Sequence, residues 1–467
     1  MKVVRWMVMI AVMIAVSLGL SACREDEPAP LGPNEYVNNW ILENMQAVYY
    51  WNSSIPANPD KSLTPPDFFD ALLDPADRFS FLQENYLELQ KQLQGIRKEA
   101  GYDFTLYRET ANSDNLVAQL IFVKANSPAT AAGMKRGDLI THINGERLTI
   151  SNYQGLLAKL GENHSVTIQS YNETQQTFNP AAALSLVPVE LVENPILFKS
   201  VITLSGKKIG YLVYRFFAPG PGNQYLNEMD QAFQEFRDAG VSDFVLDLRF
   251  NNGGTISAAT NLASLVGRDI DNSKAFYKLQ YNANIMQEIR NDPRRGEASL
   301  TQRFVSKSQN IGSLLNTGNV YVLTSTRTAS ASEMVMNGLR PFMNVVSIGG
   351  TTAGKDLGSV TIFEENDPQN TWGLQPIVVR LVNANDQGYP AGFTPSVPLA
   401  DNSLLLFRLG DVRERLLNKA LEMIVGAPVS GRAGELPSWG EEVASSLDAT
   451  ARLREPRVES INRKPKE

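Results

Sequence analysis

Three segments in the second half of the chain hold residues that could do covalent chemistry. The first is Leu246-Asp247-Leu248-Arg249-Phe250-Asn251-Asn252-Gly253-Gly254, an apolar run entering an Asn/Gly turn. Glycines at such a turn bring backbone N–H groups close to a ligand, and those groups can form part of an oxyanion hole. The second is Thr328-Ala329-Ser330-Ala331-Ser332-Glu333, between an apolar run at 320–323 and a helical pattern at 333–339. It puts a hydroxyl at a helix N-terminus, where free N–H groups and the dipole favour negative charge. The same residues equally describe a capped helix, with Glu333 in its first turn. The third is Gly349-Gly350-Thr351-Thr352-Ala353-Gly354-Lys355, after the run 345–348. Asp356 follows the lysine, so the GxxxxGK[ST] form of a phosphate loop is not met. A lysine held by glycines and taken out of water loses its proton more easily and can serve as a general base. A solvated surface lysine is the plain alternative.

The rare residues narrow the chemistry. The 467-residue chain has one cysteine, Cys23, and two histidines, His142 and His164. That excludes intrachain disulfides and cysteine-based zinc sites. A Ser-His-Asp hydrolase would need one of the two histidines. Both lie far in sequence from Ser330, and structural roles are expected for them. No metal or cofactor is called for. Composition is 43% apolar and 20% charged, which fits a globular chain. Net charge is −7 and no basic stripe stands out, so nucleic acid is not an expected partner.

The elements that must position these residues follow from periodicity. Length alone suggests two or three domains. Residues 1–22 read as a signal peptide and 23–34 as a Pro-rich tether. Residues 35–98 look helical: Val37, Trp40, Ile41, Met45 and Val48 recur at helical spacing, and further helices are expected near 67–73 and 84–98. Residues 99–185 carry short strand-like runs and Asn144-Gly145, a hairpin signal. Residues 186–425 alternate strands and helices, the pattern of an α/β layer architecture. Residues 426–467, poor in large apolar groups, are expected to form a mobile tail.

Taken together, Leu-Asp-Leu-Arg-x-Asn-x-Gly-Gly, Ala-Ser-Ala-Ser-Glu and Gly-Lys, in this order, resemble the C-terminal processing peptidases, or tail-specific proteases. Thr328 replaces the first serine of that family's Ser-Ala-Ser-Ala-Ser-Glu motif, and Lys355 lies 25 residues beyond Ser330, the family's spacing. The resemblance covers roughly residues 99–402. It implies a multidomain α/β chain: an N-terminal helical segment, a PDZ-like domain and a crotonase-like (ClpP/crotonase) peptidase core. It implies Ser330 as nucleophile, Lys355 as base, and the N–H groups of Gly253 and Ala331 as the oxyanion hole. The family often has Gln four residues after the lysine; this chain has Ser359, which would either hydrogen-bond the lysine in its place or leave the lysine less firmly held. Ser127-Pro128-Ala129 and residues 132–145 resemble a PDZ core, and Gly101, Tyr102, Asp103 and Phe104 sit where its carboxylate loop lies. The implied partners are polypeptides with exposed C-termini or unfolded segments. A catalytically weak peptide-binding relative of the same fold is the rival reading.

At the N-terminus, Lys2 and Arg5 precede an uncharged apolar run at 6–20, too short for a spanning helix of ~20 residues. Leu20-Ser21-Ala22-Cys23 resembles a bacterial lipobox, whose cysteine carries the lipid, and Arg24-Glu25-Asp26-Glu27 resembles the export signals of Bacteroides-type surface lipoproteins. Both imply a lipid anchor at Cys23. The expected location is the cell envelope, on the periplasmic or cell-surface side of an outer membrane.

Overall fold

The computed structural model describes residues 32–292, 296–429 and 438–448. The signal peptide, Cys23 and nearly all of the tether fall outside them. Among the described residues no helix is long and apolar enough to cross a membrane.

The helix Pro33–Val48 and the helix Pro65–Leu72, which is capped by Thr64, share one apolar cluster around Ile41, Met45, Phe68 and Phe69. Leu374 of the core completes that cluster. The strand Phe81–Gln83 pairs antiparallel with Gly373–Gln375, so this segment is stitched to the core through its backbone. The third expected helix is shorter than the pattern at 84–98 suggests. It spans Tyr86–Leu93, and Gly95, at φ +80°, turns the chain into the strand Ile96–Glu99. That strand pairs with Val189–Val192, and the ladder bonds it gains there compete with further helix.

Residues 100 to 186 pack around their own core, including Phe104, Leu106, Leu120, Ile140 and Val166. The sheet runs Ala182–Leu186, His164–Gln169, Leu139–Ile143, Leu116–Val123, Tyr102–Arg108 and then Glu442–Ser445. The last strand departs from the expected tail at 426–467. Val443 and Ala444 rest on this core and Leu447 enters a neighbouring cluster, so a few small apolar residues suffice to dock residues 438–448. The rest of that tail beyond 429 lies outside the described residues.

The larger unit holds a six-stranded sheet: Ile196–Leu204, Lys207–Tyr214, Asp243–Asp247, Asn319–Thr324, Asn344–Gly349 and Val397–Pro398. Only the first pair is antiparallel. A second, antiparallel sheet includes Ala275–Tyr281, Ile377–Asn383 and Leu357–Ser359. The helices Ile256–Val266 and Ala331–Leu339 pack against each other within the same large core. Thr255 caps the first of them, and Gly240, at φ +70°, closes Gln224–Ala239 in a left-handed cap.

Beyond the Asp243–Asp247 strand, Arg249 is buried in a charge network. It donates to Asp247 (2.8 Å), Asp401 (2.8 Å) and both oxygens of Glu414 (2.7 and 2.9 Å). Glu414 also caps the helix Arg415–Val425 by accepting the Leu417 N–H at 2.9 Å. Burial pushes the Glu414 carboxyl up, but Arg249 and Arg136 outweigh it and bring it down from 4.5 to about 2. Because the folded value is the lower one, Glu414 contributes stability above pH about 4.5, and this is lost as pH falls toward about 2. Thermal melts across that range should show the loss, and Glu414→Gln should flatten it while lowering stability at neutral pH. Removing the cation by Arg249→Ala strands buried carboxylates and should cost about 3–5 kcal/mol in urea unfolding.

Candidate active site

Ser330 ends the turn between the strand Asn319–Thr324 and the helix Ala331–Leu339. It occupies the helix cap position with φ +69° and ψ −118°. A non-glycine residue held there stores about 1–3 kcal/mol, so its surroundings must over-determine it. They do. Thr328 Oγ1 donates to Leu248 O at 2.9 Å, and the Ala329 N–H donates to Asn251 O at 3.2 Å. Ser332 Oγ donates to the same Asn251 oxygen at 3.1 Å. Ser330 O accepts from the Met334 N–H at 2.7 Å, and the Tyr389 hydroxyl reaches it at 3.5 Å.

Both sequence readings of Ser330 leave their mark. A capping box is in place, with Glu333 Oε2 accepting the Ser330 N–H at 2.8 Å and the Ser330 side chain turned to the Glu333 N–H. Among the described residues the buried Ser330 Oγ nevertheless closes no hydrogen bond of good geometry, so its cap is weak.

Glu333 is the centre of the site. Its Oε2 accepts the Ser330 N–H and the Lys355 N–H, each at 2.8 Å. The two nitrogens are therefore no further apart than twice that distance. Its Oε1 accepts the Gly354 N–H at 2.7 Å and the Thr352 hydroxyl at 2.5 Å. Burial holds this carboxyl above the usual range, although all four donors pull it the other way.

Lys355 is 4% exposed, and its Nζ lies 4.3 Å from the centre of the Phe79 ring, a face that attracts a cation. The next residue fixes the loop: Asp356 accepts from Arg380 Nε at 2.9 Å, and its carbonyl takes the Leu381 N–H at 2.7 Å. Gly354, at φ +78°, has no room for a side chain, since a Cβ would stand 2.5 Å from Pro390 O. Ser359 is buried at the end of the strand Leu357–Ser359, opposite Ile377.

The Gly253 turn abuts the Ser330 turn through Asn251. Gly253 and Gly254 have φ of +110° and +141°, and a Cβ on Gly254 would stand 2.0 Å from Phe217 O. The Gly253 N–H, the expected oxyanion donor, donates to Asn251 Oδ1 at 2.8 Å and so is engaged within the chain. Ala331 is the first residue of its helix, where backbone N–H groups lack intrahelical acceptors.

Ser330, Ala331, Lys355 and the Gly253 turn thus share one neighbourhood. Gly101, Tyr102, Asp103 and Phe104 belong to the other sheet: Tyr102 bonds His164 at 3.0 Å, and Asp103 and Phe104 bond Ser446. His142 bonds Thr141 within the same small unit. Sequence reasoning missed Thr352, Phe79, Tyr389 and Asn251, and it gave Glu333 only a capping role. Asn251 stood in a quoted motif; Phe79 and Tyr389 carry no local signal.

The comparisons with known proteins agree with this architecture. A model of peptidase family S41 matches residues 208–395, one of the S41 N-terminal domain matches 36–81, and one of the PDZ domain matches 123–170. Residues 208–395 are thus a peptidase family S41 region, preceded by an S41 N-terminal domain and a PDZ domain. It is similar to the carboxyl-terminal-processing protease of Picosynechococcus, 22% identical over 62% of this chain and 61% of the relative. It is also similar to the carboxy-terminal processing protease CtpA of Bacillus subtilis, 26% identical over 52% of this chain and 45% of the relative. The matched part thus spans about half the length of these relatives. A crystal structure of a candidate S41 protease from Bacteroides fragilis superposes with a TM-score of 0.68 at 29% identity, covering 86% of this chain and 99% of the other.

If one carboxylate joins the two loops, its neutral isostere should not. Glu333→Gln turns an NH₂ group toward N–H donors and should cost about 1–3 kcal/mol for each donor left stranded. Urea denaturation reads this; a variant as stable as the parent would remove Glu333 from the role.

Proposed function

We propose that this chain is a serine endopeptidase with a Ser330–Lys355 dyad. The observation that carries the reading is the single Glu333 oxygen that holds the backbones of both residues, while among the described residues Ser330 Oγ closes no hydrogen bond of good geometry. Ser330 Oγ attacks the carbonyl carbon of the scissile bond, and neutral Lys355 Nζ takes its proton. The Ala331 N–H and, once released from Asn251, the Gly253 N–H bear the oxyanion. The C–N bond then breaks, and the ammonium returns its proton to the leaving amine. Water, deprotonated by the same lysine, frees the acyl group from Ser330. A lysine excluded from water is suited to this work because burial disfavours its charged form. Ser359 enters as an orienting residue for the lysine.

Substrates in this reading are unfolded or C-terminally exposed envelope and exported proteins. They dock by adding a strand to the PDZ sheet near residues 101–104. Acylated Cys23 holds the enzyme on the envelope membrane, since two or more acyl chains anchor a protein stably.

Digestion of an unfolded casein-like protein tests the chemistry. Ser330→Ala and Lys355→Ala should each abolish cleavage, a loss of at least ~10³-fold. Lys355→Arg should not restore it, because a guanidinium keeps its proton; turnover by any of the three would end the dyad reading. Cys23→Ala should move the protein from the membrane to the soluble fraction. Unchanged membrane partition would overturn the anchor.

A further inference from the structure

The outer edge of the strand Tyr102–Arg108 is where a PDZ-type sheet takes up an extended peptide. In this chain that edge is occupied. Glu442–Ser445 runs antiparallel to it, with Ser445 opposite Thr105, Ala444 opposite Leu106 and Glu442 opposite Tyr107. Its C-terminal end points at the start of that strand, residues 102–104, as a bound peptide's end would. There Ser446 behaves as a ligand. Its Oγ accepts the Phe104 N–H at 2.9 Å and donates to Asp103 Oδ1 at 2.7 Å, and its N–H donates to Phe104 O at 3.0 Å. Val443 and Ala444 rest on the core of the small unit, and Trp439 stacks on Tyr107.

The same segment reaches the other half of the site. Leu447 is buried against the cluster holding Ile121 and Phe250, and its carbonyl accepts from Asn252 Nδ2 at 3.1 Å. Asn252 immediately precedes Gly253, whose N–H is held by Asn251. Arg327, three residues before Ser330, pairs with Glu442 and with Asp448, the latter at 2.7 Å. Gly440, Glu442 and Leu447 also wall a cavity of about 770 Å³ that reaches Arg249, Thr326 and Gly350.

We infer that residues 439–448 are a self-ligand: they occupy the peptide-docking edge and, through Asn252 and Arg327, brace the turns that carry Gly253 and Ser330. The partner this edge fits is an extended internal segment with a small apolar residue in Ala444's place and a hydroxyl in Ser446's place. Asp103 favours that hydroxyl, which donates to it, over a terminal carboxylate, which it would repel. An incoming chain must displace the self-ligand, so apparent affinity is reduced by the fraction of molecules in which the edge is free. This rests on the proposed role of the edge in substrate docking, but peptide binding can be read without catalysis.

The test uses the full-length chain with Cys23→Ser, which removes the one native thiol, and adds Thr105→Cys with Ser445→Cys across the paired strands. The probe is a fluorescent, amidated peptide with the sequence of residues 438–448, followed by anisotropy. Oxidation should lock the edge and weaken binding by at least ~10-fold, and reduction should restore it. Ser446→Pro, which removes both the N–H and the hydroxyl from Phe104, should bind the probe several-fold more tightly than the parent. Equal binding by the oxidised and reduced forms would overturn the inference, whatever Ser446→Pro does. A free-acid peptide ending at the residue-446 position that binds more tightly than the amidated probe would overturn the preference for an internal segment. Absence of proteolysis in every form, with binding still switched by oxidation, would sink the dyad reading and leave the self-ligand standing.

Discussion

The functional centre depends on one buried carboxylate. Glu333 sits in the first turn of its helix and faces two loops that leave neighbouring parallel strands. It takes the N–H groups of Ser330, Gly354 and Lys355 and the Thr352 hydroxyl. A buried carboxylate is costly unless its oxygens are saturated with donors. That requirement runs both ways: the carboxylate needs the loops as much as the loops need it. The backbones of Ser330 and Lys355 are thereby held to one another through a single carboxylate.

Around that centre the structure concentrates conformations that an ordinary turn would avoid. Ser330 has a positive φ, as do Gly253, Gly254 and Gly354. The glycines adopt them at little steric cost; Ser330 does not, and it is restrained through Thr328, Ala329, Ser332 and Tyr389. The Ser330 hydroxyl is buried and closes no hydrogen bond of good geometry among the described residues. Asn251 links the two halves, since its carbonyl restrains the Ser330 turn while its side chain holds the Gly253 N–H.

Charge organises the larger frame. Arg249 collects Asp247, Asp401 and Glu414, and Glu414 in turn caps the helix Arg415–Val425. Arg136 from the small unit reaches the same Glu414 at 3.3 Å. At the other end of the Tyr102–Arg108 strand, Lys124 is surrounded by Glu99, Asp103 and Glu193. Burial pulls the Lys124 ammonium down, and these carboxylates more than offset it. The strand Tyr102–Arg108 therefore lies between two buried charge networks, both of which include residues outside its own unit.

Much of this was legible in the sequence, and the reason is locality. The apolar runs at 320–323 and 345–348 and the helical pattern at 333–339 located the strands Asn319–Thr324 and Asn344–Gly349 and the helix Ala331–Leu339, because burial of one face or of a whole strand leaves its mark within a few residues. The motif order and spacing pointed to Ser330 and Lys355. What the sequence could not give depends on contacts between residues far apart in the chain. Phe79 meets Lys355 across 276 positions, and Glu442 meets Tyr107 across 335. Neither carries a local pattern, and residues 438–448 look like tail because their apolar groups are few. Residue types and spacing by themselves singled out Ser330 and Lys355 as candidates; tertiary packing decided that Glu333 would hold their loops together and that Glu442–Ser445 would pair with the strand Tyr102–Arg108. A buried carboxylate and an unpaired sheet edge are both satisfied by whatever donors and acceptors the fold brings to them, and the linear sequence does not encode that meeting within any single window.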